Sequence, residues 1–116
     1  MYLELPTMEM FKNELKERKI KEARITGYYI TQADKDYGST TSFRIVLSAK
    51  DEDEIVKVIE MIGYGITANK EEMDKYLKQT NETIEKYKKE FLKEKLILKT
   101  GEWKEWWKRR NLKSLT

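Results

Sequence analysis

The chain contains no cysteine and no histidine among its 116 residues. Without cysteine it forms no disulfide, no thiolate metal site and no thiol nucleophile. Without histidine it lacks the commonest general base, the commonest zinc ligand and every nucleophile that depends on an imidazole. An enzyme built from this chain would need carboxylates, lysine or tyrosine, with a hard cation such as magnesium. We therefore expect a protein that is not an enzyme and that binds no metal and no cofactor.

Long apolar runs are also missing, since none approaches the roughly 20 residues of a membrane span. The first residues, MYLELPTMEMFK, lack the cationic and apolar regions of a signal peptide. These absences predict a cytoplasmic protein, in the host cytoplasm if it is viral, with no membrane partner. No repeat or low-complexity linker divides the chain, so we expect one domain over residues 1–116.

Charge, in contrast, is abundant: 39% of the residues are charged, and apolar residues also make up 39%. This composition indicates a folded domain with a heavily charged surface. Residues 99–116 hold six cations and two acids, whereas the remainder is close to neutral, so an anionic partner would meet the C-terminal segment first. Richness in lysine and glutamate suits a thermophile, and equally an AT-rich genome. We expect an archaeal source, or a virus or plasmid of an archaeon.

The first half of the chain predicts a helix and a hairpin. Thr7 is the expected N-cap of a helix that ends near Lys21. Residues 23–32 and 40–49 are rich in β-branched and aromatic residues and predict an antiparallel hairpin with a long loop. In its second strand, alternation places one set of side chains in the core, namely Phe43, Ile45 and Leu47.

The second half predicts mainly helices. The acidic run DEDE, with Asp51 and Glu54 as a capping-box pair, is expected to start a helix that Gly63 ends. GYGIT is a candidate short third strand. A third helix, capped by Asn69, has the spacing of a heptad seam over about 28 residues, or roughly 42 Å. Such a helix overhangs a compact domain with a radius of gyration near 13 Å, which favours a homodimer.

The predicted fold class is thus α+β: an N-terminal helix, a hairpin, and then helices that include one long C-terminal helix. A short last helix, from Glu102 to about Leu112, completes it. Within that helix Trp103, Trp106 and Trp107 share one face because they are spaced three and four residues apart.

Three interpretations of the tryptophan cluster stay open. The rings fill a groove over the long helix or across a dimer, since exposed indoles promote aggregation. Alternatively, some rings stay accessible and stack on unpaired bases while cations hold phosphates. A membrane-surface helix is the third interpretation. The residues that would bind nucleic acid are Trp103, Lys104, Trp106, Trp107, Lys108, Arg109 and Arg110.

The hairpin offers a second candidate surface. If Phe43 faces the core, then Arg24, Tyr28 and Arg44 share the outer face, where aromatic and arginine side chains can form a stacking platform. The ordinary alternative is that they are cross-strand pairs on a solvated face. The acids carry no metal motif, because ADKDYG lacks the third ligand and the correctly placed glycine of a calcium loop.

One segment has a family resemblance. The stretch SFRIVLSAKDEDEIVKVIEMIGYG, residues 42–65, resembles the strand–acidic turn–helix–glycine unit of LAGLIDADG homing endonucleases. The acidic helix motif of that family, which carries the metal-binding carboxylate, has no counterpart in the preceding EARITGYYITQADKDYG. The resemblance therefore transfers neither a fold nor an activity to the chain.

The function that these patterns favour is a small non-enzymatic nucleic-acid-associated protein that binds through its basic, aromatic C-terminal surface. The alternative is a protein-binding module or inhibitor, for example a viral anti-defence protein, that acts through its long helix and dimer face.

Overall fold

The computed structural model describes residues 2–34, 38–101 and 113–114, which form six strands and two helices. The strands make one mixed sheet in the order β1-β4-β3-β2-β5, and the two-residue strand β6 also pairs with β2. The central strands β2, β3 and β4 are antiparallel, whereas β1 and β5 run parallel to their neighbours. In chain order the elements are β1 (Tyr2–Glu4), α1 (Met8–Glu17), β2 (Glu22–Asp34), β3 (Gly38–Asp51), β4 (Glu54–Ile66), α2 (Lys70–Lys93), β5 (Ile97–Thr100) and β6 (Lys113–Ser114).

Both helices pack on one face of the sheet, which we call the helix face. Its core combines α1, α2 and alternate residues of the three long strands. Phe11 and Phe91 are fully buried, with ring centroids 6.2 Å apart. The inward set that alternation predicted on β3 is confirmed, because Phe43, Ile45 and Leu47 are at most 1% exposed. The remaining buried members include Leu15, Ile25, Val56, Val58 and Ile84.

The predicted helix starts are confirmed at both helices. The Thr7 hydroxyl accepts a hydrogen bond from the Met10 N–H at 3.2 Å, and the Asn69 side chain accepts one from the Glu72 N–H at 3.1 Å. Each bond satisfies a backbone N–H that has no partner within its own helix.

The predicted fold class is wrong, because the chain forms one mixed sheet with two helices rather than a hairpin followed by helices. Residues 51–62, which were expected to form a helix, form the β3–β4 turn and most of β4. Asp51 pairs with Glu54 across a two-residue turn, in which Glu52 has a φ of 54°. Residues 55–58 are buried on both sides of the strand, as in the centre of a sheet, and all of them except Lys57 are β-branched. The likeness to LAGLIDADG endonucleases fails here, because its expected helix is β4.

Gly63 does not end a helix; it lies within β4 under an aromatic ring. A Cβ built on Gly63 would lie 2.1 Å from Cδ1 of Tyr76. The missing side chain lets the first turns of α2 approach the strand closely. GYGIT is therefore the end of a long strand and not a separate short one.

The long helix is shorter than its pattern predicts and is not C-terminal. α2 has 24 residues, Lys95 then takes a φ of 63°, and the chain enters β5. The molecule measures 47 Å along its longest axis, against about 36 Å for α2 at 1.5 Å per residue. Helix overhang thus gives no reason for a dimer. The last predicted helix, Glu102 to Leu112, lies outside the described residues.

Candidate nucleic-acid interface

The face opposite the helices carries alternate residues of β2 and β3, and we call it the arginine face. Tyr28 lies directly opposite Arg44, and Arg24 lies opposite Ser48. Because paired residues of neighbouring strands project from the same side of a sheet, Arg24, Tyr28 and Arg44 share this face. The structure therefore brings together the three residues that the sequence proposed as a second surface.

Positive charge dominates the arginine face. Among its described side chains are five cations and two carboxylates, distributed over five strands. An excess of cations on one face attracts anionic partners. These charged residues are Glu4, Glu22, Arg24, Arg44, Lys50, Lys57 and Lys99.

Ion pairs hold the two outer borders of this face. On β4, the Lys57 ammonium lies 3.0 Å from the Glu4 carboxylate and 5.1 Å from the centre of the Tyr2 ring, and its side chain is 2% exposed. On β5, Lys99 lies 2.9 Å from Glu22, and this hydrogen bond lowers the pKa of the Glu22 carboxyl. Both carboxylates of the face thus form ion pairs with lysines at its borders, and the charged side chains nearer its centre are the two arginines.

The arginines at that centre are partly buried. The Nε of Arg44 is buried and has no hydrogen-bond partner within the part of the chain that the structure describes. A buried guanidinium N–H without a partner is costly, and it suits an anionic oxygen. The Arg24 guanidinium extends to the end of β5, where a Cβ built on Gly101 would lie 3.8 Å from its Nη1.

The middle of the arginine face is covered, although neither helix packs there. Thr26 and Val46 are 1% exposed and Tyr28 is 3% exposed. A ring that is 3% exposed offers no surface to a base, so Tyr28 needs to be uncovered before it can stack. In this state Tyr28 packs with Val46, Ile30 and Ile59.

The ends of the C-terminal segment meet the sheet at one edge of β2. The Gly101 N–H donates to the Ile25 carbonyl at 2.9 Å, and β6 pairs with Tyr28 and Tyr29. The chain thus leaves and rejoins β2 at points only three residues apart. The predicted contacts Trp103, Lys104, Trp106, Trp107, Lys108, Arg109 and Arg110 lie outside the described residues.

The acidic side chains have structural partners. Arg18 of α1 donates to Glu14 at 2.7 Å, to Asp51 at 3.0 Å and to Glu54 at 3.2 Å. Arg18 thereby fixes the β3–β4 turn to the end of α1, a role that α1's own periodicity could not reveal. Among the described residues, no cluster of acidic side chains could hold a metal ion.

A polar feature that the sequence did not reveal lies on the helix face, near the far end of the hairpin. The hydroxyls of Thr31 and Thr41 are 3.0 Å apart, and those of Thr41 and Thr67 are 2.8 Å apart. They border a cleft of about 250 Å³ that Met73 and Leu77 also line. The run STTS at residues 39–42 was the available signal, but the partner threonines come from two other parts of the chain.

No protein-family model matches the chain, and no curated protein or solved structure shows significant similarity to it. Among the described residues, no helix is long and apolar enough to cross a membrane.

Proposed function

We propose that this protein binds nucleic acid, without catalysis, through the arginine face together with the C-terminal segment. The observation that carries the proposal is the pairing of β6 with β2 at Tyr28 and Tyr29. It joins the basic, tryptophan-rich segment to the face that carries Arg24 and Arg44. Support comes from the ends of that segment, Gly101 and Lys113–Ser114, which both bond to the edge of β2 that bears Arg24 and Tyr28.

Each part of this surface has a distinct task in the proposal. Arg24 and Arg44 hold phosphate oxygens, for which a planar guanidinium is well suited. The indoles of the C-terminal segment stack on unpaired bases, at about 1–3 kcal/mol for each base. Tyr28 joins them only where binding uncovers its ring. The expected setting is the cytoplasm of an archaeon, or of an archaeal host of a virus or plasmid, as the composition suggests.

The proposal is tested by titrating a labelled single-stranded oligonucleotide with the full chain over a series of salt concentrations. Affinity should fall steeply with salt, by about 0.7 in log K per log salt for each phosphate neutralised. The triple substitution Lys108→Gln/Arg109→Gln/Arg110→Gln should reduce that slope by roughly 2. Binding that is absent at low salt, or that the triple variant leaves unchanged, overturns the proposal.

Tryptophan fluorescence provides a second measurement on the same samples. All three tryptophans lie between residues 103 and 107, so intrinsic indole emission reports on this segment alone. We expect the oligonucleotide to quench it, because stacked bases quench indoles. A chain truncated after Thr100 should lose the binding while it keeps the circular dichroism of the sheet.

The alternative, a protein-binding module, is favoured by one observation at the outer edge of β4. Along the outer edge of β4, Met61, Tyr64 and Ile66 are 63%, 55% and 45% exposed. Exposed apolar side chains beside an unpaired strand edge mark a surface for another polypeptide.

A further inference from the structure

The outer edge of β4 is paired over its first residues only. β1 pairs with residues 55–57, and the Leu5 N–H donates to the Lys57 carbonyl at 2.8 Å. Beyond Lys57, no strand among the described residues pairs with this edge. The free stretch, residues 58–66, has the sequence VIEMIGYGI with Glu60 as its one charged residue. Tyr87 of α2 donates a hydrogen bond to that carboxylate, so the one charge of this stretch is held against α2 on the helix face.

A bulge places the exposed apolar side chains of this edge on one face. The register shifts between Phe43 and Arg44 of β3, so that Arg44 faces Met61 whereas Ser42 faces Tyr64. Met61 and Tyr64 therefore both project from the arginine face although they are three residues apart. On the helix face, the edge borders a groove of about 370 Å³ lined by Met61, Ile62, Gln79, Glu82 and Thr83.

We propose that this edge is the interface of a homodimer, in which two copies of β4 pair antiparallel about a two-fold axis between Ile62 and Gly63. In this register Met61 lies opposite the partner's Tyr64, and Ile59 lies opposite the partner's Ile66. The exposed side chains of Met61, Tyr64 and Ile66 then each meet an apolar partner. Glu60 meets the partner's Gly65, so like charges do not oppose each other.

The charges of α2 support a second copy rather than an unrelated strand, because they are antisymmetric about Thr80. Each charged residue from 70 to 90 has a charge of the other sign at the same distance on the far side of Thr80. Only the facing sides of two helices meet, and near the groove the charges of α2 are Lys78 and Glu82, which lie 3.9 Å apart on one side of the helix. Where an antiparallel copy crosses α2 at the level of Thr80, Lys78 and Glu82 would meet the partner's Glu82 and the partner's Lys78.

A dimer of this kind has a consequence for the arginine face. A two-fold axis perpendicular to the sheet keeps equivalent faces on the same side. The two arginine faces would therefore form one continuous surface over ten strands, with β6 at each outer edge. The interface itself does not depend on what that surface binds.

Sedimentation equilibrium of the full chain tests the proposal. The wild type should sediment at twice the chain mass of 14.0 kDa. The variant Met61→Lys/Tyr64→Lys sets lysine against lysine at two places across the axis, and it should sediment as a monomer. Leu92→Lys is the matched control, since Leu92 is 68% exposed but lies on the far side of α2; it should remain a dimer.

Two results would overturn the interface: a monomeric wild type even at millimolar concentration, or a lysine variant that stays dimeric. A monomeric wild type would mean that the bulge at Ile62 keeps this edge from pairing with another strand. Spin labels tell this dimer from one made elsewhere, because the chain has no cysteine to compete with an introduced one. Labels on Gln79→Cys should lie closer together than labels on Leu92→Cys, which the antiparallel arrangement separates by about 36 Å along α2. A shorter distance between the labels on Leu92→Cys than between those on Gln79→Cys would also reject this dimer.

Discussion

The two faces of the sheet are built from alternate residues of the same strands, yet they differ in kind. The helix face buries Phe11, Ile45 and Phe91 in a continuous apolar core under two helices. The arginine face buries Thr26, Ser48 and Lys57 among a few apolar side chains, and neither α1 nor α2 packs over them. Burial of polar groups adds less to stability than burial of apolar ones and needs exact partners. The helix face therefore accounts for the fold, and the arginine face is the place to seek function.

We expect the largest effect on stability from a substitution in the core of the helix face. Phe91→Ala removes a fully buried ring that packs on Phe11 and Lys12, and it should lower the free energy of unfolding by about 3–5 kcal/mol. Leu92→Ala, one residue along and 68% exposed, should change it by less than about 0.5 kcal/mol. Urea denaturation measures both. Similar losses in the two variants would mean that α2 does not pack as described.

A smaller effect is expected where α2 meets β4. Gly63→Ala forces a methyl group into the Tyr76 ring and should cost about 1–3 kcal/mol. Adding Tyr76→Ala removes the obstacle, so the double variant should lose less than the sum of the single losses. Strict additivity in a double-mutant cycle would show that the ring does not lie over the glycine.

The pair of Tyr87 and Glu60 gives the helix face a response to alkaline pH. Burial, and then the hydrogen bond to Glu60, raises the pKa of the Tyr87 hydroxyl above its ordinary value of 10.0. The native state therefore holds this proton more tightly than the unfolded state does. Its contribution to stability is complete below pH 10 and declines as the pH rises beyond it.

Tyr87→Phe checks this assignment. It should cost about 1–2 kcal/mol at neutral pH and should flatten the decline above pH 10. Thermal unfolding measured across that range compares the two proteins. A decline of equal steepness in the phenylalanine variant would assign the alkaline response to other groups.

The smallest expected effect on stability is at the border of the arginine face. Glu4→Gln removes a negative charge 3.0 Å from the ammonium of Lys57, whose side chain is 2% exposed. The glutamine amide oxygen can still accept a hydrogen bond from that ammonium, and the Glu4 side chain is 64% exposed, so solvent already weakens the pair. We expect a loss of about 1 kcal/mol in urea denaturation. A loss as large as that of Phe91→Ala would mean that the arginine face, and not only the helix face, is a main source of stability.

Structural features that depend on residues close in sequence were predictable, whereas features that depend on distant residues were not. Thr7 and Asn69 cap helices through neighbours three residues away, and alternation on β3 is local, so both were predictable. The run of Ile55, Val58, Ile59 and Ile62 has helical spacing, but it also fits a strand buried on both sides, and periodicity cannot separate the two. In the structure this run pairs with β3 on one side and in part with β1 on the other, and so it forms a strand.

Other features had no local signal. β1, β5 and β6 have two to four residues each, too few for a period to appear. The burial of Lys57 follows from β1, which is more than fifty residues away in sequence. Sequence placed Arg24, Tyr28 and Arg44 on one face correctly, whereas only the pairing of β6 joined that face to the C-terminal segment.

If the arginine face binds nucleic acid, as we propose, and the helix face does not, then the salt dependence of oligonucleotide affinity should differ between two variants of equal charge. Arg24→Gln/Arg44→Gln removes two cations from the arginine face, and Lys89→Gln/Lys93→Gln removes two exposed lysines from the C-terminal part of α2. We expect the arginine variant to lose about 1.4 from the slope of log K against log salt, and the lysine variant to keep the wild-type slope. Equal slopes in the two variants would contradict the account.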